Sequence, residues 1–306
     1  MRSPSVSYHL VNEVPPVVLF GYSPAREGLH QGHRPINAHT ITEPLKDKLL
    51  HKLARLSPIS LAEMDEVALL RRIDSKYLCR LADLPKLIAE LADDYQILEI
   101  GNKRLQRYQS LYFDTADFGF YQAHRAGHLN RYKLRSRSYL DSGTHFLEVK
   151  YKTNQERTLK YRLATSEFVD NFHSSEPNFQ SYHDFLKPLI PYEVSSLQPS
   201  LMNHFKRLTL ASLKHKERIT IDLDLGFSAS REATLSHMTM SELVVIELKR
   251  EAFKAHSAFE RLLKSHKIYP SGFSKYAVGL SFLYPLKSNR FKPIHRQLNK
   301  LTAFSS

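Results

Sequence analysis

The chain has 306 residues, with 44 Lys and Arg against 31 Asp and Glu, and therefore a formal net charge of +13. Its single cysteine, Cys79, excludes a disulfide-stapled scaffold, and no apolar run approaches the ~20 residues that a membrane-spanning helix needs. The N-terminus lacks an apolar signal-peptide core, so we expect a cytoplasmic globular protein, and its charge indicates an anionic partner.

The predicted elements divide the chain into three parts. Residues 1–45, with six of the 15 prolines, predict an irregular arm; residues 46–285 form the folded domain; and residues 286–306 form a basic, solvated tail. A capping box at Ser60 and Glu63 predicts a helix that runs towards Leu70. The elements that follow are a strand over 71–78, a helix over 83–91, strands over 104–113, 129–139, 144–152 and 157–163, a helical and loop-rich stretch over 165–190, a helix over 201–212, strands over 217–227 and 243–249, and a helix over 251–267.

Charged side chains alternate with apolar ones along five of these strands. Because residues two apart share a face of a strand, Arg131, Lys133, Arg135 and Arg137 project from one side of theirs. The polar faces of the other four strands carry Arg72, Asp74 and Lys76; Glu148, Lys150 and Lys152; Arg218, Thr220, Asp222 and Asp224; and Glu247 and Lys249. An antiparallel sheet with one wet face is the ordinary interpretation of such a pattern in any single strand.

The density of like charge favours a different interpretation. Between Arg125 and Arg162 there are ten Lys and Arg and only three Asp and Glu, and neighbouring like charges repel one another on a flat sheet. A barrel with a cation-lined lumen and helices on its apolar outside uses the same pattern to hold a polyanion. The acids Glu148, Asp222 and Glu247 then either orient the cations through ion pairs or bind Mg²⁺ or Mn²⁺.

Several common phosphate and metal sites are excluded. The ten glycines form neither a P-loop nor a GxGxxG turn, and one cysteine cannot build a Cys-based zinc cluster. His124 and His128 have helical spacing, but Gly127 weakens a helix there and predicts solvated histidines. Cys79 is predicted to be a buried strand residue. Phosphate must therefore be bound by side chains.

Seven segments occur in an order that resembles the VTC-type polyphosphate polymerase domain, a branch of the triphosphate tunnel metalloenzymes in the CYTH-like superfamily. The segments are 71–78 (RRIDSKYL), 110–115 (SLYFDT), 134–139 (LRSRSY), 146–150 (FLEVK), 218–222 (RITID), 246–249 (IELK) and 273–276 (FSKY). The resemblance covers roughly residues 60–285. It implies an α+β fold with an antiparallel eight-stranded tunnel and helices packed outside. It also implies transfer of the γ-phosphoryl of ATP to a growing polyphosphate chain, with Mn²⁺ or Mg²⁺.

The resemblance also implies roles for individual residues. Those that match the family's phosphate-binding cations, and are implied to be catalytic, are Lys76, Arg135, Arg137, Lys150, Arg218 and Lys275. Further phosphate-binding candidates are Lys160 and Arg207, at looser spacing, and Arg72, Lys133 and Lys249, by strand position. Glu247 matches the metal-holding glutamate, and Glu148 and Asp222 are further metal candidates. Gly272 departs from the pattern, because some members carry a second lysine there.

Two alternatives to a polymerase stay open. The CYTH-type triphosphatases carry an ExExK run where this chain has Arg72, Asp74 and Lys76, which disfavours a hydrolase with a carboxylate-rich metal site. A non-catalytic binder of polyphosphate, inositol phosphates or RNA also fits the charge. Tyr132 and Tyr151 lie opposite the cations, so base stacking beside them is not expected, nor is nucleic acid as a partner. Eukaryotic members attach a phosphate-sensing helical domain and membrane spans; neither is visible here, which resembles a stand-alone bacterial form and leaves a membrane-protein partner open.

Overall fold

The computed structural model describes residues 43–65, 72–91, 93–155, 157–251 and 257–302. The helices are α1 Glu43–Ala54, α2 Leu61–Asp65, α3 Leu84–Ala89, α4 Gly119–Ala126, α5 Phe179–Leu186, α6 Ala258–Ser265, α7 Lys275–Leu283 and α8 Lys292–Leu301. The strands are β1 Pro58–Ile59, β2 Arg72–Arg80, β3 Gln96–Leu98, β4 Gln106–Asp114, β5 Arg131–Tyr139, β6 Thr144–Lys152, β7 Thr158–Thr165, β8 Gln198–Ser212, β9 Glu217–Ala229, β10 His237–Met240 and β11 Leu243–Glu251. No helix among these described residues is long and apolar enough to cross a membrane.

Eight strands form a continuous antiparallel sheet in the order β2-β11-β9-β8-β4-β5-β6-β7. The short strands β1, β3 and β10 pair beside this path, and only the β1–β3 pair is parallel. Helices pack on the sheet, so the predicted α+β class and the eight antiparallel strands are confirmed.

The sheet curls until its two end strands face each other. Lys160 on β7 has a pKa lowered to about 8, by burial and then by Arg72 on β2 and Lys249 on β11, so these strands lie close although they are far apart in the sheet order. The pKa of Lys150 on β6 is likewise lowered, by burial first and then by the charges of Lys160 and of Lys76 on β2. Among the described residues β2 and β7 do not pair through their backbones. The result is a tunnel that is curled rather than closed by hydrogen bonds, and its inner face is called the lumen below.

Two large apolar cores cover the outside of the tunnel and one end of the inside, and a small third core packs α2 against β1 and β3. The first joins α1, α3 and α6 to the outer faces of β2, β8, β9 and β11, where Cys79 is 1% exposed and its pKa is raised to about 12 by burial. The second joins α4, α5 and α7 to β4, β5 and β6. The prediction that Cys79 is a buried strand residue is confirmed.

A bulge in β9 changes which residues face the lumen. His204 pairs with Gly226 and Lys206 with Leu223, so two residues of β9, Asp224 and Leu225, lie opposite one residue of β8. Asp224 has a φ of +51° and forms an ion pair with Lys206 at 2.7 Å. Because Lys206 alternates with the lumen-facing Arg207, Asp224 points outward. The prediction that Asp224 shares a face with Asp222 is therefore wrong, since the bulge interrupts the alternation.

Helix α7 occupies the part of the lumen beyond the bulge. A Cβ on Gly279 would lie 2.7 Å from Leu201 and 2.8 Å from Phe227, so the helix packs closely against β8 and β9. Leu225 and Phe227 belong to the same core as Tyr276 and Leu280 of the helix. The lumen therefore has a charged half and an apolar half that α7 fills.

The structure corrects the prediction of a helix over 201–212. This segment is β8, which pairs with β4 on one side and β9 on the other. Its Leu, Met, Lys and Arg residues favour a helix, but hydrogen bonding to two neighbours overrides a weak local preference.

Two further predictions need correction. Residues 119–126 form α4, and Gly127, with a φ of +76°, ends this helix rather than preventing it. His128 is exposed as predicted, whereas His124 is half-buried, with a pKa lowered to about 2 by burial and by Lys133. Residues 292–301 form α8, and its Leu298 is buried, so this segment packs on the domain instead of extending as a solvated tail.

The remaining helix predictions agree in part with the structure. The capping box is confirmed, because Ser60 N donates to Glu63 Oε2 at 2.8 Å and Glu63 N donates to Ser60 Oγ at 3.3 Å. The helix that it begins is described as far as Asp65, and residues 66–71 lie outside the described residues. The late helix is described over 258–265, and residues 252–256 lie outside. Of the predicted arm, residues 1–42 lie outside too, and the domain boundaries at 45 and 285 stay predictions.

The conformation of Asp224 gives a stability test of the bulge. Asp224→Val should lower the free energy of unfolding by ~1–2 kcal/mol, because a left-handed conformation is costly for a side chain branched at Cβ. Asp224→Gly adopts this conformation without strain and should stay within ~1 kcal/mol of the wild type. Urea unfolding of both variants is the measurement. An equal loss in both would mean that the ion pair with Lys206, not the backbone conformation, stabilises the bulge.

Candidate polyanion site in the tunnel

The cations of β5 line one side of the lumen. Arg135 donates from Nε to Glu148 Oε2 at 2.7 Å, and Lys133 donates from Nζ to Ser274 Oγ at 2.9 Å. Arg137 is buried and donates from Nε to Ser110 Oγ at 3.1 Å. Their shared face follows from the two-residue period of the strand, as the sequence predicts.

Glu148 lies between two arginines from the strands on either side of β6. It pairs in register with Arg135 on β5 and Arg162 on β7. Arg162 donates to Glu148 Oε1 from Nε at 2.9 Å and from Nη2 at 2.6 Å. The positive charge of Arg135, Arg137 and Arg162 outweighs burial and holds the pKa of Glu148 far below its usual range. Sequence reasoning missed Arg162, although its spacing of two from Lys160 was a signal for the lumen.

Asp222 is the second carboxylate held by two cations. Arg207 on β8 donates from Nε to Oδ1 at 2.6 Å and from Nη2 to Oδ2 at 2.9 Å, and Lys275 of α7 donates to Oδ2. Asp222 is almost fully buried, yet these two cations outweigh burial and lower its pKa to about 2. The planar guanidinium of Arg207 matches the carboxylate in a two-pronged pair.

Phe205 lies beside the two cations that bind Asp222. Its ring centroid lies 4.4 Å from Lys275 Nζ and 5.1 Å from Arg207 Cζ, which are cation–π distances. The sequence did not identify Phe205, because the segment that contains it was predicted to be a helix.

Glu247 is the third carboxylate of the lumen. Lys76 donates from Nζ to Glu247 Oε1 at 2.8 Å, and Lys249 Nζ lies 3.8 Å from Oε2. Burial raises the pKa of Glu247, but Lys249 and Lys76 outweigh it and bring the pKa well below the ordinary value. Arg218 lies opposite Lys249 in the β9–β11 register and helps to lower the pKa of Lys249 to about 8, although burial is the larger cause. Arg72 pairs with Asp74 at 3.1 Å on the end strand.

Several cations of the lumen lack a carboxylate at ion-pair distance among the described residues, among them Lys133, Lys150, Lys160 and Arg137. The side chain of Lys150 is exposed to the lumen. Its enclosure by the side chains that line the lumen, followed by the charges of Lys160 and Lys76, lowers its pKa to about 8. Burial and Lys150 lower the pKa of Lys133 well below its ordinary value. These shifts mean that the charged forms lack compensation, and a bound polyanion would supply it.

All three carboxylates of the lumen form ion pairs, but they differ in how many hydrogen bonds they accept. Glu148 and Asp222 each accept hydrogen bonds from two cations, the first of the two roles that the sequence left open. Among the described residues no group of three His, Cys, Asp or Glu side chains could hold a metal. Glu247 accepts one hydrogen bond from a cation, at Oε1 from Lys76, and its Oε2 lies 3.8 Å from Lys249 Nζ. Oε2 would therefore be available to a divalent cation that binds one carboxylate together with phosphate oxygens, as Mg²⁺ commonly does. The assignment of Glu148 and Asp222 as metal ligands stays a prediction that their ion pairs disfavour.

Comparison with known families now identifies this arrangement. The model of the VTC domain matches residues 71–284, well over half of the chain. The chain belongs to the VTC domain family. The resemblance inferred from seven short segments is thereby confirmed, and the match begins just before β2 and ends just after α7. All the lumen residues described above lie within the VTC domain.

Solved structures give a more distant likeness. A candidate adenylate cyclase of Bacillus halodurans is 18% identical, covers 67% of this chain and 94% of its own, and has a TM-score of 0.43. A candidate adenylyl cyclase of Hippeastrum, described as having a dominant triphosphatase activity, is 15% identical, covers 71% and 99%, and has a TM-score of 0.40. A candidate adenylate cyclase of Vibrio parahaemolyticus is 12% identical, covers 69% and 98%, and has a TM-score of 0.39. The comparison with curated proteins gives no significant match.

The ion pairs of Glu148 predict a variant that a polyanion rescues. Glu148→Gln should lower the free energy of unfolding by ~3 kcal/mol, because three arginines lose their counter-charge inside the tunnel. Tripolyphosphate should raise the melting temperature of this variant more than that of the wild type. Asp94→Asn, which breaks an exposed pair with Lys214, is the control and should cost less than ~1 kcal/mol. Equal stabilisation of the variant and the wild type by tripolyphosphate would contradict an anion bound at these arginines.

The lowered pKa values of Lys150, Lys160 and Lys249, each about 8, predict opposite effects of pH on stability and on binding. Between pH 8 and 9.5 unfolded lysines, with a pKa of ~10.4, keep protons that the folded ones have lost, so stability of the free protein should rise. Affinity for a long polyphosphate should fall over the same range, because the lumen loses charge. Urea unfolding and calorimetric titration measure the two trends. If stability and affinity changed in the same direction between pH 8 and 9.5, the assignment of these lysines to a polyanion site would be contradicted.

Proposed function

We propose that this VTC domain is a polyphosphate polymerase, which transfers the γ-phosphoryl of ATP to the end of a growing inorganic polyphosphate chain in the lumen. The unpaired lumen cations support binding of a long polyanion. Phosphoryl transfer depends mainly on positioning and on stabilisation of negative charge, which arginine and lysine side chains supply.

The carboxylates and the histidine near the lumen are poor general bases, which supports a terminal phosphate, rather than a water activated by one of them, as the attacking group. The pKa values of Glu148, Asp222 and Glu247 are all lowered, so these carboxylates are weak bases near pH 7. His124, near the cations of the lumen, has a pKa of about 2 and is an equally weak base. An effective general base has a pKa near the working pH. A terminal phosphate, with a second pKa of ~6, is already ionised and needs no base.

The lumen residues divide into proposed roles according to the family resemblance and their strand positions. Lys76, Arg135, Arg137, Lys150, Arg218 and Lys275 are proposed to contact the reacting phosphates, and Arg72, Lys133, Lys160, Arg207 and Lys249 to hold the rest of the chain. Arg162 is proposed to belong to the first group as well, because it donates to Glu148 beside Arg135. A divalent cation, Mn²⁺ or Mg²⁺, held by Glu247 and by phosphate oxygens, would neutralise part of the phosphate charge when it is bound. ATP and polyphosphate are the proposed partners.

The decisive experiment is incubation of the purified protein with γ-labelled ATP and Mn²⁺, with the products resolved on a polyphosphate gel. A ladder of long chains is expected from the wild type. Release of orthophosphate alone would replace the proposal with a triphosphatase, and binding of polyphosphate without turnover would replace it with a non-catalytic binder.

Lys150→Ala tests the site within this assay. Lys150 is exposed to the lumen and forms no ion pair with a described carboxylate, so its removal leaves no buried partner unpaired. Turnover should fall by ~100-fold or more, as expected for loss of one charged contact to the reacting group. Lys187→Ala, at the exposed end of α5, is the matched control and should keep full activity. Wild-type rates in Lys150→Ala would contradict the assigned site.

A further inference from the structure

Thr220 occupies a central position in the charged half of the lumen. In the sheet register it lies between Glu247 on β11 and Thr209 on β8. Its neighbours at a spacing of two, Arg218 and Asp222, face the lumen, so its side chain faces it as well. Neither the sequence pattern nor the family resemblance assigns a role to this threonine.

The hydroxyl of Thr220 is buried and lacks a partner. Thr220 is 5% exposed, and its Oγ1 has no hydrogen bond to any described residue. An unmade hydrogen bond of this kind costs ~1–3 kcal/mol, so buried hydroxyls without partners are rare in folded proteins. A threonine hydroxyl can usually rotate to reach a nearby acceptor. Because Thr220 Oγ1 has none among the described residues, a bound ligand is a reasonable candidate for the missing partner.

The surroundings indicate what the missing partner is. Across the sheet from Thr220, Glu247 is bonded to Lys76 at 2.8 Å and lies near Lys249. These lysines attract an anion to the position that the hydroxyl faces. A hydroxyl can donate one hydrogen bond to an anionic oxygen, and bonds to charged groups are the stronger ones.

We infer that the Thr220 hydroxyl donates a hydrogen bond to a phosphate oxygen of the polyphosphate chain bound in the lumen. This inference rests on the proposed function, because it needs phosphate at this point of the tunnel. Thr220 is then a substrate-binding residue that carries no charge. It fixes a phosphate group beside Glu247 without adding to the positive charge of the lumen, which the lysines already supply.

The inference predicts an unusual pair of effects for Thr220→Val. Valine has nearly the shape of threonine and removes the unpaired hydroxyl, so the free protein should be at least as stable as the wild type. Affinity for tripolyphosphate should nevertheless fall by ~10-fold, the loss expected for one hydrogen bond to a charged group. A residue with only a structural role would show the reverse, with lower stability and unchanged affinity.

The experiment is calorimetric titration of tripolyphosphate into the wild type and three variants, run once with Mg²⁺ and once with EDTA, with urea unfolding of each. Thr220→Ser keeps the hydroxyl and should bind within ~3-fold of the wild type. Thr239→Val, on the exposed face of β10, is the control for loss of a threonine hydroxyl and should bind normally. Unchanged affinity in Thr220→Val, beside a wild type that binds, would overturn the inference alone. A wild type that does not bind would overturn the proposed function with it.

Discussion

The structure depends on an excess of positive charge held inside a curled sheet. Strands that are distant in the sheet order bring Lys150, Lys160 and Lys76 close together, and lysines this near to one another repel. Three carboxylates limit the repulsion, because each forms ion pairs with two cations of the lumen. Their charge balances part of the excess and leaves the rest for a ligand. The same balance therefore limits repulsion inside the tunnel and leaves positive charge that would attract a polyanion.

The limit of the charged lumen is set by backbone geometry. At the bulge, Asp224 turns outward and Leu225 turns inward, so β9 changes from polar to apolar on its inner face without any change in its alternating sequence. Helix α7 uses this apolar surface as its packing site. At the start of the helix, Lys275 reaches Asp222 and Ser274 accepts a hydrogen bond from Lys133. The bulge thus places the first residues of α7 in contact with the charged wall.

A buried carboxylate, that of Asp114, joins helix α7 to helix α4. Asp114, at the end of β4, accepts hydrogen bonds from the first backbone amides of α4, at 2.8 Å from Phe120 N, and from the hydroxyl of Tyr276 on α7. Burial raises the pKa of Asp114, and the hydrogen bonds oppose the rise. An acid at a helix N-terminus satisfies amides that have no partner within the helix. The position of α7 in the lumen is therefore tied to a residue outside it.

The sequence by itself determined the elements whose pattern is local. The alternation in β2, β5, β6 and β11 identified the lumen face, since a period of two follows from strand geometry alone, and seven short segments identified the family. The sequence did not determine β8, because its residues suit a helix and only pairing with β4 and β9 makes it a strand. Nor did it reveal which cations lack partners, the outward turn of Asp224 or the unpaired hydroxyl of Thr220. Those features depend on contacts between residues far apart in the chain, which form only when the sheet curls.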